Sequence, residues 1–324
     1  MDEQTRELLE KALDAADISG KLIQEVVDKV IANIFFSENP LRQNLPVKKG
    51  FGTHYEFNRR TPAATWGQAI ADTGSFTAVE GSYTRVSLPY KIYGTSVEVT
   101  RFAQTAGRNY IDILQEELEA RISEFREWEQ RAIIWGNYLS SGDFTGANFA
   151  DGLIKQIVAG GDGNFVRLGS DNNGAELTLA DLDAAIDKCY AQPNMIICSR
   201  GGRRILQGLL QAQQRFVNMV EIRGGFKVME YAGIPVLTST AIFDTLAYDY
   251  NNANNIYVSS LTTGATTCML ILNLGDAFIA ELESLTSKEI PVASSQYTRY
   301  EVWEYITPVV KNPKNHCVIF GIKV

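Results

Sequence analysis

The stretch RNYIDILQEELEARISEFREWEQRAIIWGN, Arg108 to Asn137, decides the fold. Ile111, Leu114, Leu118, Ile122, Phe125, Trp128, Ala132 and Trp135 step by three or four, so one stripe of an α-helix carries two tryptophans and a phenylalanine. At 1.5 Å per residue this is a rod of roughly 40 Å. Charges occupy the rest of the circumference. Glu117 to Arg121 and Glu127 to Arg131 stand at i,i+4 in the favourable order and read as a solvated face. Paired glutamates on a helix can also hold a di-metal centre, but that chemistry needs a Glu-x-x-His pattern, and His54 and His316 lie elsewhere. No second helix of comparable length follows. The expectation is therefore a spine across a sheet, with Leu118, Phe125, Trp128 and Trp135 in the core.

Upstream, the period changes. Phe51, Thr53, Tyr55 and Phe57 alternate with Gly52, His54, Glu56 and Asn58, and Val86, Leu88, Tyr90 and Ile92 alternate with Ser87, Pro89 and Lys91. Two long strands thus frame TPAATWGQAIADTGSFTAVEGSYT, Thr61 to Thr84, a segment too long for a hairpin turn and too poor in large apolar residues to build a core. A two-stranded ribbon is marginal in water, so it reads as a loop held from outside the domain, by Trp66 and Phe76 above all; the alternative is a floppy insertion. Still earlier, residues 5–36 carry apolar positions at helical spacing, broken at Ser19-Gly20 and followed by Pro40 and Pro46. This is an arm, a broken helix pair whose apolar stripe must pack on something.

Downstream, GNYLSSGDFTGANFADGLIKQIVAGG reads as a loop, and residues 178–285 as an alternating α/β unit. TLADLDAAIDKCYAQ is a helix with Thr178 as N-cap, MIICS a buried strand and RRILQGLLQAQQRF a second helix. KVMEYAGIPVLTS, NIYVSS and CMLILNL are strands. QYTRYEVWEYITPVV and HCVIFGIKV close the chain as strands expected beside the spine. Between strand and helix, Ser199-Arg200-Gly201-Gly202-Arg203-Arg204 raises the question of a phosphate site, because free N–H groups at a helix start attract anions. It fits neither G-x-x-x-x-G-K-[ST] nor G-x-G-x-x-G. The better reading is a tight turn whose Arg200, Arg203 and Arg204 face water or a neighbouring subunit.

Composition narrows the classes. A 324-residue chain with a net charge of -8 would be repelled by nucleic acid as a whole, which excludes a phosphate-gripping DNA binder but not a container that surrounds DNA. No apolar run is long enough to span a bilayer and the acidic start MDEQTRELLE is no signal peptide, so a cytosolic chain without membrane contact is expected. Cys189, Cys198, Cys268 and Cys317 are scattered without a C-x-x-C pair and read as free thiols, so neither metal nor cofactor is expected. An α/β enzyme would need a G-x-S-x-G, an H-E-x-x-H or a similar constellation, none of which is present.

The order arm, long loop, spine helix, α/β insert and returning strands resembles the major capsid protein of tailed bacteriophages, a shell fold shared with encapsulins. DGLIKQI after the spine, MIICSRGGRRILQGLL, YAGIPVLTS, NLGDAFIAELES and the terminal CVIFGIKV carry the resemblance, in their order and spacing more than singly, from about residue 20 to the end. It implies an α+β phage capsid-shell fold. The expected parts are an N-terminal arm over 1–50, an extended loop (E-loop) over 51–100, and a peripheral (P) domain with the spine over 101–177, completed by return strands over 286–324. An axial (A) domain is expected over 178–285. The resemblance also implies a structural protein and no enzyme, assembling as pentamers and hexamers into an icosahedral shell around packaged double-stranded DNA. Trp66, Phe76, Arg200, Arg203 and Arg204 would then lie at subunit interfaces. Scaffolding, portal and decoration proteins are the implied partners, the virion the implied location and the host cytoplasm the implied place of assembly. Some relatives begin with a long scaffolding prodomain, whereas only about fifty residues precede the E-loop here, so a separate scaffolding protein, or a short arm doing part of that work, is expected. Others cross-link a lysine to an asparagine, but Thr61 to Thr84 contains no lysine. An encapsulin-like cargo shell, an α/β enzyme and a monomeric binding module are the competing readings.

Overall fold

The computed structural model describes residues 40–61, 67–107, 113–139, 144–159, 164–212, 219–222, 226–250, 263–290 and 296–324. The arm through Asn39, Trp66, Ile111 and the NIYVSS segment lie outside the described residues.

A short helix α1 (Pro40–Asn44) leads into β1 (Val47–Lys49), and β2 (His54–Thr61) pairs antiparallel with β3 (Ser82–Pro89) as a two-stranded ribbon. β4 (Lys91–Thr100), α2 (Arg101–Gly107) and the spine α3 (Ile113–Trp135) follow. The alternation does not run unbroken to Ile92. Leu88 is buried, but beyond Tyr90 the buried positions become Tyr93, Val97 and Val99 while Ile92 is exposed. The phase shifts because the chain leaves the ribbon at Pro89 and joins a different sheet, and a one-residue slip exchanges the faces.

That sheet has four strands in the order β1-β11-β12-β4, with β11 (Ala277–Ile290) and β12 (Tyr297–Val310) as its long centre. One face presents Ala277, Ile279, Ile306 and Val310 to the main core beneath α3, whereas Phe278, Ala280 and Val309 on the other face pack against Tyr55, Phe57, Val86 and Leu88 of the ribbon. The spine does cross a sheet, as its solitary length required. The solvated-face expectation needs correction. Glu129 and Gln130 are fully buried, because the last three turns of α3 are enclosed by the sheet, α1 and the following loop. Arg131 pairs with Glu127 as expected, but Arg121 pairs with Glu124 at 2.8 Å and not with Glu117.

The segment after the spine is not a surface loop. It contains α4 (Leu153–Val158), whose Leu153, Ile154 and Ile157 are fully buried together with Tyr138, Leu139, Phe144 and Ala150. After β5 (Phe165–Arg167), α5 (Leu179–Asp187) starts at a reciprocal cap: Thr178 Oγ1 accepts the Asp181 N–H at 3.2 Å and Asp181 Oδ2 accepts the Thr178 N–H at 3.1 Å. β6 (Met195–Cys198), α6 (Arg200–Ala212), β7 (Met219–Ile222), β8 (Phe226–Tyr231) and β9 (Ile234–Thr238) complete the unit. YAGIPV is a hairpin whose two turn residues, Ala232 and Gly233, both have positive φ, at 51° and 81°, while Tyr231 pairs with Ile234.

With β10 (Thr266–Leu272) and β13 (Cys317–Lys323) these strands form a seven-stranded sheet ordered β5-β13-β10-β6-β9-β8-β7. Ile197, Leu270, Val318 and Phe320 face the main core, and Ile196, Met269, Ile271 and Ile319 face α5 and α6. Burial on both faces explains why MIIC and CMLIL read as unbroken apolar runs. β12 returns beside the spine, whereas β13 joins this second sheet.

Candidate functional site

The glycine-arginine turn is the first candidate, and its own chain fills it. Ser199 Oγ accepts the Gly202 N–H at 2.9 Å, and Asp244 Oδ2 accepts the Gly201 N–H at 3.1 Å, so a carboxylate stands where an anion would bind. A Cβ on Gly201 would lie 2.6 Å from Asp244 Oδ1, so a side chain there would displace the carboxylate. Both glycines belong to the first turn of α6. Arg200, Arg203 and Arg204 are exposed, and none forms an ion pair among the described residues. ATP or GTP is therefore expected to leave the melting temperature of the protein unchanged, where a true site would add about 2.7 kcal/mol at a hundredfold excess over Kd. A nucleotide-dependent thermal shift that vanished in Arg203→Ala/Arg204→Ala would overturn this.

The nucleophile candidates are held unreactive. Burial pushes the Cys189 thiol up to about 11 and those of Cys198 and Cys317 to about 12, with Cys268 higher still. All four cysteines are free. Burial lowers His316 to about 4, and its neutral ring accepts the Asn273 N–H through Nδ1 at 3.1 Å. Among the described residues no group of three or more His, Cys, Asp or Glu side chains is arranged to hold a metal ion, and no helix is long and apolar enough to cross a membrane.

A buried cluster of charged side chains was not visible as a motif. Arg42 of α1, Arg126 and Glu129 of α3, Glu281 of β11 and Glu304 of β12 meet between the spine and the four-stranded sheet. Arg126 Nη1 lies 2.6 Å from Glu129 Oε2 and 3.4 Å from Glu304 Oε2; Arg42 lies 3.1 Å from Glu281, 3.4 Å from Glu129 and 3.8 Å from Glu304. Glu129 and Glu304 have no exposed surface. Burial first, and then the neighbouring Glu129 carboxylate, push the Glu304 carboxyl up to about 8.

The spine residues expected in the core divide along the helix. Trp135 and Phe125 are buried, with Trp135 Nε1 donating to the Ala241 carbonyl at 2.8 Å, whereas Trp128 and Leu118 are half-buried. Trp128 is ringed by Tyr93, Phe144, Phe149 and Phe125 at centroid distances of 5.3 to 6.0 Å.

The ribbon is the remaining candidate. Its base is anchored by its own chain: Tyr55 meets Phe278 edge-on at 5.5 Å, and Arg59 donates to the carbonyls of Lys311 and Val310 at 3.0 and 3.3 Å. Beyond the base, no described residue outside the ribbon gives it such cover. Gln68 and Thr77 clasp each other through two hydrogen bonds of 2.9 and 2.8 Å, yet Phe76 between the strands is 72% exposed. Phe51 and Tyr83 are exposed as well. A stable monomer gains nothing from such aromatic surface, which is a mark of an interaction site.

No curated protein matches the chain. Among solved structures, the SrpI encapsulin of Synechococcus elongatus PCC 7942 superposes with a TM-score of 0.66 at 13% identity, covering 96% of each chain. The capsid of a native GTA particle, computed with C5 symmetry, gives 0.66 at 15% identity over 96% of this chain and 100% of its own. The capsid of Myoviridae phage XM1 gives 0.59 at 12% over 94% and 100%. Identities this low establish the shared shell fold. The family follows from the sequence itself, since the model described as SU10 major capsid protein matches residues 11–323. With its overhanging ribbon, its capsid-shell fold and that match along nearly its whole length, the chain belongs to the SU10 major capsid protein family and is a capsid shell protein of the virion.

Proposed function

We propose that this chain assembles as pentamers and hexamers into an icosahedral shell around packaged double-stranded DNA, in the host cytoplasm, without catalysing a reaction. The observation that carries the proposal is the ribbon, anchored at its base and exposed over 67–81, in a chain of a capsid family. Its tip lies on the neighbouring copy, with Trp66 and Phe76 as anchors and Arg200, Arg203 and Arg204 at a second boundary. In domain terms, residues 1–50 are the arm, 51–100 the E-loop, 101–177 with 286–324 the peripheral domain and 178–285 the axial domain, to whose sheet β13 contributes. A net charge of -8 suits a wall that encloses DNA without gripping it. Scaffolding, portal and decoration proteins complete the assembly.

Two experiments test this. Phe76→Ala should leave the melting temperature of the unassembled chain within a degree or so of wild type, because exposed side chains contribute little to the fold, while lowering the yield of shells. A large loss of monomer stability would show that the tip belongs to its own subunit's core. Co-expression with the scaffolding protein, followed by negative-stain microscopy, should give closed shells, and virions should release nuclease-protected DNA. The encapsulin likeness supports a second reading, a cargo shell, which predicts particles filled with protein and free of DNA.

A further inference from the structure

Among the described residues the buried cluster holds three carboxylates against two guanidinium groups, so full ionisation would leave these side chains with one negative charge in excess. We propose that Glu129 and Glu304 share a single proton, and that this proton locks the entry segment, α1 and β1, onto the spine helix and sheet, so that its release as the pH rises loosens the root of the arm.

The geometry supports sharing. Glu129 Oε2 takes the close contact with Arg126, at 2.6 Å, whereas Glu304 lies 3.4 Å from Arg126 and 3.8 Å from Arg42. Glu304 Oε1 is buried without a hydrogen-bond partner, and Glu129 Oε1, also without one, faces the Arg42 guanidinium at 3.4 Å; the arrangement is costly for two anions and is relieved when one carboxyl donates to the other. The groups facing the pair are Arg42 from α1, Arg126 from α3, Glu281 from β11 and Tyr93 from β4, which stands opposite Glu304 in the strand register; Asp151 is the further charge beside Tyr93. The Tyr93 phenol, pushed up to about 12 by burial, stays neutral and adds no charge.

The lock acts on the root because Arg42 is the only basic residue of α1 and its partners sit on three elements beneath, α3, β11 and β12. Leu41 and Leu45 flank it in the core, and β1 continues directly into pairing with β11, where Lys49 stands opposite Glu281. An ionised pair would draw Arg42 and Arg126 more strongly, but it would leave a net buried charge whose relief is opening to water. The sign follows from linkage. The folded pair holds a proton that the unfolded carboxyl releases above the ordinary value of 4.5, so the contribution is full in acid and is lost as the pH rises through the raised folded value.

The test uses the full chain, melted from about pH 5 to about pH 9, with hydrogen exchange followed in peptides covering 41–49 and 125–135. Wild type should lose several degrees of melting temperature across this range, and 41–49 should lose protection before 125–135 does. Glu304→Gln fixes the cluster in its neutral state and should flatten both dependences; Glu129→Gln repeats the test should the first variant fail to fold. Infrared spectra of wild type at neutral pH should show the C=O stretch of one protonated carboxylic acid, absent from Glu304→Gln. The proposal is overturned by a wild-type spectrum containing ionised carboxylates alone, or by a glutamine variant that keeps the wild-type pH dependence.

Discussion

Trp135→Ala is expected to yield insoluble chain. Trp135 is fully buried where α3, the loop after it and the seven-stranded sheet meet, with its ring 6.3 Å from that of Tyr138, which in turn stacks on Phe320 at 6.0 Å. Truncating an aromatic in such a site costs about 3 to 5 kcal/mol for lost burial and the cavity left behind. The Ala241 carbonyl, 2.8 Å from the indole nitrogen, would lose its donor in a place water does not reach, adding about 1 to 3 kcal/mol. Together these approach the whole stability of an ordinary domain, about 5 to 15 kcal/mol. Trp128→Ala, at a half-buried site, should cost less and leave some soluble protein. The soluble fractions and urea midpoints of the two variants check the order, and a well-folded Trp135→Ala chain would show that the main core does not depend on the spine.

The second large effect is expected at Arg42. Its side chain is 16% exposed and is the link between α1 and the carboxylates of three other positions. Removing one partner of a buried ion pair typically costs about 3 to 5 kcal/mol, because the charge left behind stays buried. The sign of the pH dependence is distinctive. In acid the Glu304 carboxyl, pushed up by burial, carries a proton and the loss shrinks; towards alkaline pH, where Arg42 would favour its ionised form, the loss grows, so the melting curves of Arg42→Ala and wild type should diverge as the pH is raised. Parallel curves, or a variant as stable as wild type at every pH, would place Arg42 outside the network.

What was legible in the sequence was what neighbours in sequence decide. Thr178 and Asp181 are three residues apart and make their cap without help from elsewhere, and the apolar steps from Leu114 to Trp135 mark a helix in any context. The shell fold was legible because these local units come in a recognisable order. The misreadings share one cause, contacts between segments distant along the chain. Glu129 carries no sign that Arg42 and Glu304 will bury it. GNYLSSGDFTGANFADGLIKQIVAGG is rich in glycine and serine, yet its Leu153, Ile154 and Ile157 are recruited into the core. Ser199 to Arg204 looked like an anion turn until Asp244, from beyond β9, supplied the anion. Ile92 is exposed because its strand changes sheets two residues earlier, a shift the alternation alone does not record.

In the proposed assembly a neighbouring copy completes the exposed ribbon, in a shell of five- and six-fold clusters. Cryo-electron microscopy of the assembled particle tests it most directly. The ribbon beyond its anchored base, residues 67–81, is expected to cross onto the adjacent subunit, with Phe76 buried against it and β2 and β3 paired as they are in the single chain. A reconstruction in which the ribbon folds back over its own subunit and leaves Phe76 in solvent, or particles without repeated clusters of this chain in their wall, would contradict it.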